Sequence, residues 1–512
     1  METISNAEQT PLLELQHITK TFGGVCANDD ISLVCYPGEV LSLLGENGAG
    51  KTTLMKVLYG MHQADSGRIL WRGKEADIQK PIDAISLGIQ MVHQHFMLIP
   101  TFTVAENIVL GCEPQRHGAL QMQRAVQICS ELSARYNLKI DGKRRVSELS
   151  VGEQQRVEIL KALYRGAELL ILDEPTAVLT PIETRELFET IAQLRKSGKS
   201  VIIITHKLKE TKAISDRVYV LRSGRLTGER RTAETTIDEL TKLMVGYHMP
   251  QMTNAHPAPG AELLCVEHMT LQDKLSRPLL SDISFTLSRG EILGIAGVEG
   301  NGQEPLIEIL SGIRTDWTGE LRLNGRLVKK PTPAKMIQNG VATIHADRQN
   351  RGLFLDKSAT KNMTLGFQWA SQFYHCPLLR WDLARKKAES EMEDFDVRPC
   401  EPKRPAGELS GGNQQKLVVA REFSRNADLI IAANPTRGID IGAVHSIHER
   451  ILQARDSGKA VLLISSDLDE ILALSDRIAV IYEGRLVAMR PAGEFTEMEL
   501  GNYMGGTSNE TK

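Results

Sequence analysis

Residues 45–52 read GENGAGKT, directly after the apolar run GEVLSLL (38–44) and directly before TLMKVLYG (53–60). A glycine, four residues and then Gly-Lys-Thr is the spacing of a loop that holds phosphate, provided that a strand enters it and a helix leaves it. Both flanks fit. VLSLL has the short, apolar character of a buried parallel strand, and Leu54, Val57 and Leu58 fall on one face of a helix. The glycines permit tight turns that aim successive backbone N–H groups at phosphate oxygens, and the start of the helix adds its dipole. Gly45, Glu46, Asn47, Gly48, Ala49, Gly50, Lys51, Thr52 and Thr53 are therefore candidate nucleotide-binding residues. Lys51 places a cation between the β- and γ-phosphates, and the Thr52 hydroxyl is a ligand for Mg2+.

Working outward, AELLILDE (167–174) and SVIIIT (200–205) are further buried strands, separated by the helical stretch IETRELFETIAQLRKSG (182–198). Strands alternating with helices predict an α/β sheet whose ligands sit at the strand ends. Two carboxylates, Asp173 and Glu174, close the first of these strands. Asp173 is placed to hold Mg2+ through water, and Glu174 to orient or deprotonate an attacking water. His206 ends VIIITH (201–206), where it can stabilise the γ-phosphate region. The polar, helical region 112–165 predicts a subdomain of its own around LSVGEQQ.

The chain then repeats itself. LSVGEQQR (149–156) returns as LSGGNQQK (409–416), LLILDEPT (169–176) as LIIAANPT (429–436), and VIIITHKLKE (201–210) as VLLISSDLDE (461–470), all offset by 260 residues. The glycine loop returns as GVEGNGQE (297–304) after GEILGIA (290–296), at an offset of 252. The second half has thus gained about eight residues between its loop and its later motifs. The boundaries expected are a first domain over 11–246, a linker over 247–262 and a second domain over 263–506. The seam GYHMPQMTNAHPAPGAE (246–262) has three prolines and no apolar period.

Bulk properties exclude several classes. A net charge of −3 gives no general attraction to nucleic acid or anionic lipid. The seven cysteines include no CxxC pair, which argues against a zinc ribbon and a disulfide framework and fits a reducing compartment. METISNAEQTPLLELQ has neither the basic start nor the apolar core of a signal peptide. No apolar run approaches the roughly 20 residues that a membrane-spanning helix needs, so a partner is expected to hold the chain at any membrane where it works.

GENGAGKT, LSVGEQQR, LLILDEPT and IIITH together resemble the ATP-binding cassette family, twice over and across essentially the whole chain. The resemblance implies two tandem phosphate-loop cassettes, each a RecA-like α/β core with a helical signature subdomain and an antiparallel β subdomain. It implies ATP and Mg2+ as cofactors. MVHQHFML (91–98) matches the family's glutamine loop, so Gln94 is expected to contact the Mg2+ and water region. Phe22 in KTFGG (20–24) matches the aromatic residue that stacks on adenine. In the family each ATP lies between one cassette's phosphate loop and the other's signature. Carried over, this joins Lys51, Thr52, Gln94, Asp173, Glu174 and His206 to LSGGNQ, with Ser410 and Gly412 meeting the γ-phosphate, Gly411 beside them as a nucleotide-binding residue, and Asp440 of TRGID (436–440) facing the same site.

The other site has lost its chemistry. Gln303 and Glu304 replace lysine and threonine, Ala433 and Asn434 replace the two carboxylates, and Ser466 replaces the histidine. Ala346 stands at the glutamine position, Val151 replaces a signature glycine, and Thr180 stands where the family has aspartate. The losses cluster rather than scatter, which predicts one hydrolytic site and one that binds nucleotide weakly or structurally. Without the lysine a bound phosphate loses a charge-assisted contact.

Fused tandem cassettes without membrane segments resemble two groups, energy-coupling ATPases of simple sugar and nucleoside importers and ATPases acting on ribosomes. The ribosomal group implies two competent sites and a long charged linker, neither of which is present here. HADRQNRGL (345–353) resembles a segment of the importer group, and 91–111 is closer to its nucleoside branch. The expected partners are two transmembrane permease subunits, docked on residues near 95–111 and 349–365, and indirectly an extracytoplasmic solute-binding protein. The chain is expected on the cytoplasmic face of the membrane, as a peripheral ATPase.

Overall fold

The computed structural model describes residues 10–506 apart from 95, 117–118, 178, 248–253, 257, 274, 368–373 and 376–377. The chain divides into two compact units, Met1–Pro250 and Gln251–Lys512. Of the linker expected over 247–262, residues 248–253 and 257 lie outside the described residues. Asn254 and His256 are bonded to the second unit. The Asn254 amide donates to Leu474 O at 3.1 Å, its oxygen accepts from the buried Arg455, and His256 Nδ1 lies 2.9 Å from Asp476 Oδ1.

In the first unit a six-stranded sheet runs, edge to edge, Arg225–Arg231, Arg217–Arg222, Val40–Gly45, Ser200–Thr205, Leu169–Asp173 and Ile89–Val92. All pairs are parallel except the first, which is a hairpin. Every residue of Val40–Gly45, Ser200–Thr205 and Leu169–Asp173 is buried, because both faces of the sheet are covered. The period of two decides what each face meets. Leu41, Leu43, Leu169, Ile171, Ile202 and Ile204 pack with Leu54 and Leu58 of the helix Lys51–Leu58 and with Leu13, Leu15, Ile31 and Leu33 of an antiparallel sheet. Val40, Leu170, Leu172, Val201 and Ile203 turn the other way, onto Val104, Ile108, Cys129, Val157 and Leu160 of the helical part. The antiparallel sheet is ordered Val25–Cys35, Leu13–Phe22, Ser66–Trp71, Lys74–Glu75. The helical subdomain expected over 112–165 contains Met122–Tyr136 and Val151–Tyr164 and begins earlier than expected, with Val104–Val109, whose Val104 and Ile108 pack in the same core.

The second unit repeats this order with Arg485–Pro491, Arg477–Tyr482, Ile292–Ala296, Ala460–Ser465, Leu429–Ala433 and Val341–Ile344, beside its own antiparallel sheet. Strand register fixes the equivalences: Val92 pairs with Leu172 as Ile344 pairs with Ala432, which sets Ala346 opposite Gln94. Among the described residues no helix is long and apolar enough to cross a membrane.

Candidate active site

Gly45, Asp173 and Thr205 end three parallel strands at the same edge, so the loop, the carboxylates and His206 converge there. The loop is shaped by what surrounds it. Gly50 adopts φ 98° as the cap of the helix Lys51–Leu58, and a Cβ there would lie 2.2 Å from Ala27 O. No L side chain fits either the angle or the space. The buried Asn28 side chain donates to Gly50 O at 3.0 Å, bracing the turn from the neighbouring strand. The same hairpin carries Phe22, which is 42% exposed, with His62 edge-on at 5.1 Å and Lys20 Nζ 5.4 Å from its ring centre. Its ring is thus partly exposed, with a cation over it and a second ring at its side.

Lys51 is buried, with Nζ donating to Gly45 O at 2.7 Å and Glu46 O at 2.8 Å. Burial pushes its ammonium below the usual lysine range, against the opposing pull of Glu174, Asp173 and Glu46. Thr52 Oγ1 donates to Asp173 Oδ1 at 3.2 Å. Burial pushes the Asp173 carboxyl up. Each charge partly offsets the other's burial, Lys51 lowering the Asp173 carboxyl and Asp173 raising the Lys51 ammonium.

Glu174 is reached from both sides. Gln94 Nε2 donates to Oε2 at 3.1 Å, and His206 Nδ1 lies 3.2 Å from Oε1. An ionised carboxylate only accepts, so His206 carries its proton on Nδ1. That bond is the largest influence on Glu174 and holds its carboxyl below the usual range, with burial opposing. Glu174 also sits at φ 46°, in the left-handed region, with its N–H on Ile204 O at 2.9 Å. A glutamate there costs energy that the surrounding structure must hold. His206→Ala removes the main cause of the low carboxyl range. Glu174 then protonates more readily, and the acid limb of the rate–pH profile moves to higher pH. An acid limb that stays in place would show that His206 does not control this ionisation.

The second unit builds the same shape from different chemistry. Gln303 Nε2 donates to Val298 O at 2.9 Å, reproducing one of the two lysine contacts without charge, while its Oε1 is buried with no hydrogen-bond partner among the described residues. Asn434 keeps the left-handed backbone at φ 42° and donates its N–H to Ile464 O at 2.8 Å, but its Oδ1 accepts from Ser466 N at 3.1 Å. His17 and His268, each paired with an aspartate at 2.7 Å, align the two antiparallel sheets and set Asp273 where Phe22 stands. Asp273 Oδ1 accepts turn N–H groups from Leu275 and Arg277, so this half offers no aromatic face there. Leu280 stands where Asn28 braces the first loop.

The two signatures also differ. Ser410 caps the helix Gly411–Phe423, and a Cβ on Gly412 would lie 3.6 Å from Asp440 Oδ2, so Asp440 stands beside this turn in the same unit. Asp440 itself caps the next helix, accepting from Ala443 N at 2.7 Å. In the first unit Thr180 takes that capping place. There Glu183, the counterpart of Ala443, lays Oε1 within 3.3 Å of both Ser150 Oγ and Gly152 N. The first signature's N–H is thus taken by its own chain's carboxylate.

The sequence model of the ABC transporter family matches residues 28–177 and again 280–437. The chain belongs to the ABC transporter family. It is 47% identical to the guanosine import ATP-binding protein NupO of Bacillus subtilis over 98% of both chains. It is 42% identical to the nucleoside import ATP-binding protein NupA of Lactococcus lactis over 98% of this chain and 99% of that one. It is 43% identical to the glucose import ATP-binding protein TsgD13 of Haloferax volcanii over 98% and 97%. The archaeal ribosome recycling factor aABCE1, solved with the stalk protein aP1, matches 93% of this chain and 90% of its own at TM-score 0.62 and 20% identity, a likeness of fold.

ATP with Mg2+, which the ABC family implies, fits the first half of this ABC ATPase. The donor set of Thr52, Asp173 and Gln94 offers hard oxygens, as Mg2+ requires, and the buried Lys51, whose Nζ donates to Gly45 O and Glu46 O, would supply a cation to phosphate bound at the loop. The second half does not fit in the same way, since Ala433 supplies no ligand and Glu304 adds a negative charge. Asn28 and Glu183 escape a motif reading because each is a lone polar residue in an ordinary strand or helix. Comparing the repeats at Leu280 and Ala443 is the signal that marks them.

Proposed function

We propose that this ABC ATPase is the energy-coupling subunit of an importer for nucleosides or simple sugars, with one hydrolytic site. What supports the reading most is full-length similarity, at 47% identity, to a guanosine import ATP-binding protein. The asymmetry of the halves agrees: lysine, both carboxylates and histidine are together in the first, whereas the second keeps the signature Ser410-Gly411-Gly412. On this reading Phe22 holds the base, residues 45–53 and Lys51 hold the phosphates, and Thr52, Asp173 and Gln94 hold the metal. Magnesium, when bound, neutralises charge on the β- and γ-phosphates.

Glu174 takes the proton of the attacking water at Oε, with His206 keeping it ionised and Gln94 fixing its second oxygen. As in the family, the second unit's Ser410, Gly411, Gly412 and Asp440 complete this site when the two cassettes close. Nucleotide drives closure only to the extent that it binds the closed form more tightly than the open one. Residues near 95–111 and 349–365 dock two permease subunits, and a solute-binding protein outside the membrane chooses the solute. The chain then lies on the cytoplasmic face of the membrane, held by the permease.

Purification from membranes tests the assignment. A multi-spanning permease should co-purify with the chain, whereas co-sedimentation with ribosomes in place of a permease would overturn the importer reading. Asn434→Gln should leave ATPase activity within about twofold, the scale of a substitution outside the reacting groups. A large loss would sink the account of one active site.

A further inference from the structure

In the second unit the helix that leaves the glycine loop begins Gln303-Glu304 and carries Glu308 one turn on. Carboxylates four residues apart on a helix repel each other. The first half has Thr52 and Lys56 at these positions. One side chain answers both carboxylates: Arg351 places Nη1 2.9 Å from Glu304 Oε1 and Nη2 2.7 Å from Glu308 Oε1. Arg314 adds a weaker contact, with Nε 3.4 Å from Glu308 Oε2.

Arg351 comes from a helical turn, Arg348–Gly352, with no counterpart among the described residues of the first half. Asn107 and Asn362 anchor equivalent points, their side-chain oxygens accepting from Ile99 N and Phe354 N, each at 2.8 Å. Between Ala346 and Asn362 the second half has three residues more than between Gln94 and Asn107. Asp347 holds the turn, its Oδ1 accepting from Gln349 N at 3.2 Å and Asn350 N at 3.0 Å. The first half ties its shorter loop differently, through Gln94 to Glu174 in the reacting centre. Both loops are also held by their own signature helices, through Met97 N to Glu158 Oε1 at 2.7 Å and through Arg421 Nη1 to Gly352 O at 2.8 Å, so they differ in the remaining tie: one reaches Glu174, the other the glycine-loop helix.

We propose that Arg351 is a positioning residue, a resident cation that fastens the loop 346–356 to the second glycine-loop helix whether or not nucleotide is present. It occupies the place beside Glu304 that the first half gives to a metal nucleotide. If these loops face the permease, as the importer reading above has it, nucleotide shifts the first loop within its own cassette, whereas the second loop travels only as a rigid part of its cassette.

Hydrogen exchange on the full-length chain tests this without a permease, using the Glu174→Gln variant with ATP and Mg2+ to hold the loaded state. Exchange around Gln94 should slow by about tenfold on loading, while exchange over 346–356 should change by less than about twofold. Arg351→Ala should speed exchange over 346–356 by about tenfold in the absence of nucleotide, and Arg351→Lys should restore part of the protection. The pair Glu304→Gln with Glu308→Gln, which leaves Arg351 in place, should loosen the same segment. Slowing of 346–356 by nucleotide to the same degree as the Gln94 loop would overturn the proposal. So would unchanged exchange in both Arg351→Ala and the double variant. Failure to recover a permease would sink the importer reading and leave the fastening of the loop standing.

Discussion

Glu174→Gln should lower ATP hydrolysis by about 10²–10⁴-fold, the range that a positioned general base contributes, and leave ATP affinity nearly unchanged. The substitution is close to isosteric, and the left-handed backbone at φ 46° with its bond to Ile204 O does not depend on the carboxylate. The second unit shows that an amide is accommodated at this turn, since Asn434 holds the same backbone at φ 42°. What disappears is the acceptor for a proton. The bond from Gln94 loses a charged partner, and His206 Nδ1 faces a neutral oxygen or an amide. Steady-state ATPase rate beside equilibrium ATP binding separates the two effects. A rate kept within tenfold of the parent would remove Glu174 from the role of base.

Lys51→Gln should weaken ATP binding by about 10- to 150-fold, the equivalent of the roughly 1.5–3 kcal/mol that a charged hydrogen bond contributes. Glutamine is the informative replacement because the chain already contains that experiment. Gln303 fills the same position in the second unit and bonds to Val298 O at 2.9 Å, so the loop folds around an amide. Lys51→Gln thus keeps one loop contact and removes the charge. Gln303→Ala should change ATP affinity by less than about twofold. Titration of both variants decides the matter, and equal losses in the two would contradict a single competent loop.

Most of the first site was legible in the sequence. The spacing of GENGAGKT demands a strand, a tight turn and a helix, and the apolar runs around it supply the parallel sheet. Asp173 and Glu174 at the end of such a strand had to meet the loop, because parallel strands present their carboxyl ends on one edge. The clustered losses at Gln303, Glu304, Ala433, Asn434 and Ser466 were legible too, since a repeat makes its own alignment.

The contacts that only folding creates were not. Asn28 braces Gly50 from another strand, Glu183 covers Gly152 from another helix, and Arg351 reaches Glu304 from an inserted turn. Each joins residues between 22 and 47 positions apart, through side chains of common type in common elements. A motif records chemistry that a ligand imposes on neighbouring residues of the chain, so it is written in local spacing. A brace, a cover or a fastening depends on which side chain arrives from elsewhere, which is settled by strand order, loop length and packing. Sequence alone therefore determined that this protein is a tandem ABC ATPase and which half carries the lysine, the carboxylate pair and the histidine. The tertiary structure decided how the second glycine loop is filled by the chain itself.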